Sequence, residues 1–270
     1  TTVSGSGSTT TALDVTSAAS LAVNDWVLVG GEAARITAVD TASTPDNITV
    51  SPALSSAPAA STEVFVGEVY TPDDTGHQSH TILTARDTQL LEIRGCVFSF
   101  GASGSYGQNL EASAEFDGEA WDLQDTYTLD GQQSTKKAIP YVAGRSFFGS
   151  TALGLSSFEW SLGHGRQQLR DTEAGQRQFI TTRDATMGVN FRNQNATPKE
   201  TWEASGTYDW LVVQVGNAAG GCVVFAGKAQ IQDPAEMADV EGHQYWDATF
   251  AFRDNQTDYS TPNKPVIVRF

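Results

Sequence analysis

Residues 90–118 constrain the fold more than any other part of the chain, because apolar and polar residues alternate there on both sides of a glycine-rich turn. Successive side chains of a strand point to opposite faces, so the alternation predicts a long β-hairpin. Its return strand carries Glu111, Ser113 and Glu115 on one face. The other face carries Leu110, Ala112, Ala114 and Phe116. We expect the apolar face to pack on the chain's own core and the acidic face to meet water.

A second hairpin of the same kind is predicted over residues 154–192. Its outgoing strand places Glu159 and Ser161 opposite an apolar face, and its return strand, residues 178–192, does the same with Thr186 and Asn190. A single hairpin with one solvent-exposed polar face is common and indicates little by itself. Two in one acidic chain favour a barrel that is built between subunits.

The charge of the chain limits its partners. The 270 residues include 32 acidic and 16 basic ones, for a net charge of −16. A chain this acidic should not bind nucleic acid by neutralising phosphates, although it could lie beside DNA and repel it. Only 18% of residues are charged, so the polarity comes mostly from Ser, Thr, Gly, Asn and Gln. This composition favours a β-rich protein over a helical one.

Three regions differ in composition. Residues 1–12 are rich in Ser, Thr and Gly and predict a linker-like segment. Residues 13–70 contain five short apolar runs separated by turn residues, which predicts a small β-barrel or β-sandwich domain. Residues 71–270 then form the main β domain, whose last third contains the most continuous apolar strands.

Two segments of the main domain stand out from this strand pattern. Asp233, Pro234 and Glu236 match a capped helix start, so we expect one short helix that ends near Gly242. Residues 121–143 are polar with few apolar residues, which indicates a long mobile loop. That loop contains Lys136 and Lys137, the paired bases of the chain.

The sequence contains no GxSxG motif, P-loop or dinucleotide-binding glycine motif. His77 and His80 lie three residues apart, but no third metal ligand is evident. Glu111 and Glu115 lie about 13–14 Å apart along a strand, too far for a glycosidase pair, although acids on neighbouring strands could be closer. Cys96 and Cys222 are expected to be buried thiols. We expect no enzyme activity, cofactor, metal or membrane-spanning segment.

A family resemblance rests on the two hairpins. Gly95-Cys96, followed by an alternating hairpin that ends in Glu115-Phe116-Asp117-Gly118, resembles the first long hairpin of phage tail tube proteins of the long-tailed, siphophage type. Residues 155–162 and 178–191 resemble the second hairpin of that family. The resemblance covers residues 70–270 or so, and the small N-terminal unit is additional to the minimal tail-tube domain.

This resemblance implies a rolled β-sandwich or barrel with two long hairpins and one short helix, assembled into hexameric rings that stack into a tube. It implies that Lys136 and Lys137 belong to a ring-stacking loop. The lumen-facing residues that it implies are Glu111, Ser113, Glu115, Glu159, Ser161, Thr186 and Asn190. The implied partners are other copies of the chain, a tape measure protein, tail-end proteins and phage DNA that passes without specific binding. The implied location is the virion tail, assembled in the host cytoplasm.

Two other interpretations remain open from the sequence. Six Trp and seven Tyr residues could supply stacking platforms for a carbohydrate-binding or adhesin-like β module. A hydrolase with an unrecognised site is the other. Within the tube interpretation, the main tube subunit and a related ring component such as a distal tail protein both fit.

Overall fold

The computed structural model gives the chain a mainly β architecture of antiparallel strands, as the composition predicts. The structure describes residues 1–5, 7–71, 80–86, 89–118, 120–124, 138–142, 144–171, 175–192, 202, 206–240, 243–252 and 265–270. Strands in these residues form a five-stranded sheet and a 13-stranded sheet. Among them we find no helix long and apolar enough to span a membrane.

The five apolar runs near the N-terminus form the five-stranded sheet. Its strands are β1 (Ala12–Val15), β2 (Trp26–Val29), β3 (Glu32–Asp40), β4 (Asp46–Ser51) and β5 (Val64–Val66), in the order β1-β4-β3-β2-β5. The first residues of the chain connect its two edges, because Val3 bridges to Val15 of β1 while Thr2 bridges to Glu63 beside β5. The sheet thus closes around its own apolar core, and we call this unit the N-terminal barrel.

Residues 1–12 do not form the linker that their composition predicts. The Val3 side chain is only 2% exposed and belongs to the core of the N-terminal barrel. Its N–H donates to the carbonyl of Thr62 at 2.8 Å, and its carbonyl accepts from the N–H of Ser61 at 2.9 Å. A single buried valine among Ser, Thr and Gly leaves no periodic signal, so composition alone could not reveal this closing strand.

The other strands build the 13-stranded sheet. They are β6 (Glu68–Tyr70), β7 (His80–Arg86), β8 (Gln89–Ser105), β9 (Glu111–Asp117), β10 (Ala120–Gln124), β11 (Ser146–Phe148), β12 (Thr151–Ala152), β13 (Gly154–Asp171), β14 (Gly175–Arg192), β15 (Asp209–Val215), β16 (Val223–Val240), β17 (His243–Phe252) and β18 (Val266–Arg269). The main path runs β10-β8-β13-β14-β17-β16-β15-β11-β12, while β7 and β9 pair with β8, and β18 pairs with β16 and β6.

The two predicted hairpins are present and lie side by side. The first is β8 with β9, the second is β13 with β14, and β8 also pairs antiparallel with β13. Strand β17 then pairs with β14. We call the five strands β9, β8, β13, β14 and β17 the hairpin sheet.

Strand β16 connects the hairpin sheet to a second layer. Its first residues pair with β15 and β18, whereas residues from Ala229 onwards pair with β17. We call β15, β18 and the first part of β16 the outer sheet. The two layers enclose one aromatic core, in which the rings of Trp160 and Phe225 lie 5.6 Å apart and those of Phe148 and Phe250 lie 4.9 Å apart.

The predicted short helix at Asp233 is wrong. Strand β16 continues to Val240, and its last residues pair with β17. The register slips on both sides of Asp233, so Pro234 lies in a β-bulge, where a residue without an N–H is tolerated. A helix-capping pattern is a weak local preference, and the ladder with β17 overrides it.

The predicted loop at residues 121–143 is only partly a loop. Residues 120–124 form β10, which pairs with β8 so that Trp121 lies opposite Ile93. Tyr141 is 5% exposed and packs in the main core. Lys136 and Lys137 lie outside the described residues.

The apolar side of β9 does not pack on the core as expected. Every residue of β9 is exposed in the single chain, and Phe116 is 38% exposed. The core under the hairpin sheet reaches Ala102 of β8 and includes Leu110 only at its margin. Alternation indicates which residues share a face, but it does not reveal how far the second layer extends beneath that face.

Truncating two tryptophans tests this division between core and surface. Trp160 is 2% exposed and Trp121 is 69% exposed. We expect Trp160→Ala to lower the free energy of unfolding by about 3–5 kcal/mol, because it empties the centre of the core. We expect Trp121→Ala to change it by less than about 0.5 kcal/mol. Urea unfolding followed by circular dichroism measures both, and equal losses would contradict the placement of Trp160.

Candidate functional site

The outward side of the hairpin sheet carries all seven residues that the family resemblance assigns to a lumen. Residues directly opposite each other on paired strands share a face. Ser103 of β8 lies opposite both Glu111 and Glu159, and Gly101 lies opposite both Ser113 and Ser161. Ser161 in turn lies opposite Thr186, and Ser157 lies opposite Asn190. Glu115 follows on the same side of β9, opposite Ser99.

The alternate residues of β13 and β14 point into the core. At most 3% of each of these side chains is exposed: Phe158, Trp160, Met187 and Val189. Glu159, which lies between Phe158 and Trp160 in sequence, is exposed. We call the outward side the polar face. It consists of Val97, Ser99, Gly101, Ser103, Ser105, Glu111, Ser113, Glu115, Asp117, Ser157, Glu159, Ser161, Gly163, Asp184, Thr186, Gly188, Asn190, Arg192, Tyr245, Asp247, Thr249 and Ala251.

Strand β17 adds residues to the polar face that the sequence reasoning did not assign to it. Asp247 lies opposite Asn190, and Thr249 lies opposite Gly188. The alternation in residues 245–253 predicts a strand with Asp247 and Thr249 on one side. It does not reveal that this strand, far along the chain, lies next to β14.

Asn190 is held in place by its neighbours on the polar face. Its Nδ2 donates to Asp247 Oδ1 at 2.6 Å. The hydroxyl of Ser156 contacts the side-chain oxygen of Asn190 and lies 3.2 Å from its carbonyl oxygen. Ser156 reaches this position because the register of β13 shifts between Leu155 and Ser157, which is a β-bulge. The bulge therefore fixes the orientation of an amide and a carboxylate across three strands.

The polar face forms two adjoining open depressions. One is lined by Ser103, Ser105, Ser157, Phe158, Glu159, Gly188, Val189, Asn190, Asp247, Ala248 and Thr249, and the other extends over β8 and β9 to Ser113 and Glu115. Their polar lining consists mainly of hydroxyl groups and carboxylates. Such polar groups hold water well, while Phe158, Val189 and Ala248 add apolar surface to the first depression.

The acidic residues on the polar face are spread along it. Glu111 and Glu159 lie in one cross-strand row with Ser103 between them. Two strand spacings separate their Cα atoms by about 9–10 Å. Both side chains are exposed, whereas a glycosidase needs one carboxyl in surroundings that keep it protonated. This arrangement suits a charged surface better than an acid–base pair.

The two cysteines are buried and unreactive. Both are 0% exposed, Cys96 in β8 and Cys222 just before β16. Burial raises the pKa of both thiols, that of Cys222 to about 12. Neither is therefore a thiolate at neutral pH, which a nucleophile or metal ligand would require.

Potential metal ligands do not cluster in the described part of the chain, where no three His, Cys, Asp or Glu residues come together. His80 begins strand β7, whereas His77 lies outside the described residues. Comparison of the chain with protein-family models and with curated proteins finds no match.

The Asn190–Asp247 hydrogen bond predicts a pH-dependent effect of one substitution. Asn190→Asp places two carboxylates in contact, and we expect a loss of about 1 kcal/mol in unfolding free energy at pH 7. The repulsion raises the pKa of the pair in the folded state. The loss should therefore disappear below the unfolded value of about pH 4 and reappear as the pH rises through the folded value.

Gln232→Glu is the matched control, because it adds the same charge at an exposed position of β16. Denaturant unfolding at pH 3.5 and pH 7 measures both variants. A loss that is equal in the two variants, or independent of pH, would contradict the contact.

Proposed function

We propose that this chain is a structural subunit that assembles into rings, and that stacked rings form the tail tube of a long-tailed phage. In this proposal the polar face lines the tube, and the DNA passes along it without binding. The observation that carries the proposal is the common face of Glu111, Ser113, Glu115, Glu159, Ser161, Thr186 and Asn190 on one sheet.

The charge of the polar face suits a conduit for DNA. Its acidic residues are Glu111, Glu115, Asp117, Glu159, Asp184 and Asp247, whereas Arg192 is its one basic residue among those described. Carboxylates repel the phosphate backbone, and a single arginine among six acids can replace few of the counterions of DNA. The serine hydroxyl groups between the acids keep the wall hydrated. DNA can then move through without adhering.

The number of strands allows a wide channel. Each copy offers at least the four strands β9, β8, β13 and β14, already joined edge to edge. A hexamer would contribute roughly 24 strands to a shared barrel, whereas barrels of about 16–18 strands already leave an aqueous channel. The hexameric state itself comes from the family resemblance.

Exposed apolar side chains favour association of copies. Phe116, Leu83, Leu123 and Trp121 are 38–69% exposed, all on strands that pair with β8 at the margin of the hairpin sheet. A lone subunit would leave these side chains in water, and a ring provides neighbours that cover them. The tape measure protein and the tail-end proteins are the further partners that a tail tube requires, in the virion and during assembly in the host cytoplasm.

The carbohydrate-binding alternative has less support. Trp26, Trp160 and Trp202 are at most 8% exposed, and the half-buried Trp210 packs edge-on against Trp26. Trp121 is the one tryptophan that is largely exposed. Glycan recognition usually needs an accessible aromatic platform beside polar groups, and the polar face has hydroxyl groups and acids instead.

Assembly is the first test of the proposal. We expect the purified protein to form rings or tubes in negative-stain images and to elute from size exclusion, with light scattering, as an oligomer. A protein that stays monomeric at every concentration and salt tested, and that binds glycans, would overturn the proposal.

A charge reversal tests the lumen. Glu111→Lys combined with Glu159→Lys should make assembled particles retain duplex DNA at low salt and release it as salt rises. The control, Glu63→Lys with Glu68→Lys, makes the same change in net charge at exposed positions away from the polar face. A filter-binding assay measures retention. Equal retention by both variants would show that the polar face is not the surface that meets DNA.

A further inference from the structure

The N-terminal barrel covers the side of the outer sheet that faces away from the main core. Strand β15 alternates across the outer sheet, with Leu211 and Val213 in the main core and Val212 on the other side. One buried cluster joins this second side to the N-terminal barrel. It consists of Val212, Cys222, Val224, Ala226, Val266 and Val268, packed against Trp26, Leu28 and Ala33.

Gln214 crosses this junction and is the most buried polar side chain there, with 1% exposed. Its Oε1 accepts from the N–H of Ala33 at 2.9 Å. Its Nε2 donates to the carbonyl of Gly31 at 2.8 Å and to that of Gly216 at 2.7 Å. Both amide hydrogens and the amide oxygen are therefore used. Moving the N-terminal barrel would leave several buried polar groups without partners, which is strongly unfavourable.

Oriented contacts at the edge of the junction also fix how the N-terminal barrel sits on the outer sheet. Arg145 Nη1 lies 2.5 Å from Glu32 Oε2, and both side chains are mostly buried. The guanidinium of Arg35 lies 4.4 Å from the ring centre of Trp210, which also packs edge-on against Trp26. Ion pairs and cation–π contacts at partly buried sites select one orientation.

The linker between the N-terminal barrel and the main domain is a single residue long. Strand β5 ends at Val66, and β6 begins at Glu68 and pairs with β18 of the outer sheet. Gly67 is the one residue between them. A Cβ at Gly67 would lie 2.4 Å from Val268 Cγ1, so the chain passes directly over the outer sheet there.

We propose that the N-terminal barrel is an integral third layer of the protein, locked in one position by Gln214, and not a tethered module that decorates the main domain. Without it, the apolar outer side of the outer sheet would be exposed. The two sheets of the main domain lie between the N-terminal barrel and the polar face. If the polar face lines a tube, as proposed above, the N-terminal barrel forms the outer wall of that tube.

Cys222 is a native reporter of this locking, because it is 0% exposed within the junction cluster. In the 270-residue chain with Cys96→Ser, the rate at which Cys222 reacts with Ellman's reagent reports how often the junction opens. We expect reaction in the folded protein to be at least roughly a thousandfold slower than in the urea-unfolded chain. A rate close to that of the unfolded chain would overturn the proposal.

Two neighbouring glycines supply a matched pair of variants. Gly30 and Gly31 both have left-handed backbones, with φ of 59° and 85°, so alanine is strained at either position. A Cβ at Gly31 would lie 2.8 Å from the Asn217 carbonyl oxygen of the main domain, whereas at Gly30 the nearest atom is 4.0 Å away. We expect Gly31→Ala to speed the reaction of Cys222 roughly tenfold more than Gly30→Ala does. Equal rates would overturn the locked junction.

A second pair of variants changes only side chains, so backbone strain cannot explain a difference between their Cys222 reaction rates. Gln214→Leu removes the buried amide, and Gln232→Leu makes the same change at an exposed position. We expect only Gln214→Leu to increase the rate of Cys222, by roughly tenfold or more. Equal rates in these two variants would also overturn the role of Gln214.

The outward position of the N-terminal barrel is tested on assembled particles with a bulky polyethylene glycol maleimide. Thr41→Cys lies on an exposed turn of the barrel and Ser113→Cys on the polar face, each in a Cys96→Ser, Cys222→Ser background. We expect Thr41→Cys to react in particles and Ser113→Cys to react only after dissociation. The opposite pattern would overturn the orientation. A failure to form particles would count against the proposed function and leave the result for Cys222 standing.

Discussion

The pairing of β8 with β13 is the interaction on which the rest of the structure depends. It joins two hairpins into one sheet and sets their register, so that Glu159 lies beside Ser103 while Trp160 lies beside Ala102. A slip of one residue would turn Trp160 outward and Glu159 into the core. The aromatic contacts of Trp160 with Phe100 and Phe225 oppose that slip. The same contacts that stabilise the core thus assemble the polar face.

Much of this arrangement could be predicted from alternation alone. The two hairpins, the five short strands of the N-terminal barrel and the burial of both cysteines follow from local patterns of apolar residues. The grouping of the seven candidate residues required only that the hairpins be neighbours. Local alternation assigns each residue to a side, and the pairing of β8 with β13 brings those sides together.

The errors came where pairing with another strand decided the outcome. The cap-like Asp233 and Pro234 lie in a bulge of β16 because β17 pairs alongside. Trp121 belongs to a strand because residues 120–124 pair with β8. Val3 is buried because it closes the N-terminal barrel. Trp121 pairs with β8 and not with the adjacent β9, and Val3 hydrogen-bonds to Ser61 and Thr62, so no short window of residues contains the information. Strand β17 does follow β16 directly, but the capping pattern at Asp233 hides the alternation of that hairpin.

The hairpin sheet, the outer sheet and the N-terminal barrel form three layers, so the polar face and the N-terminal barrel lie on opposite sides of the subunit. The polar face carries carboxylates and hydroxyl groups, and the outer sheet is covered by the N-terminal barrel through Gln214. A three-dimensional reconstruction of the assembled particle by electron cryomicroscopy tests this account most directly. The account predicts a ring in which Glu111 and Glu159 face a central channel and the N-terminal barrel lies at the outer radius. A channel lined by another surface, or a polar face buried between subunits, would contradict it.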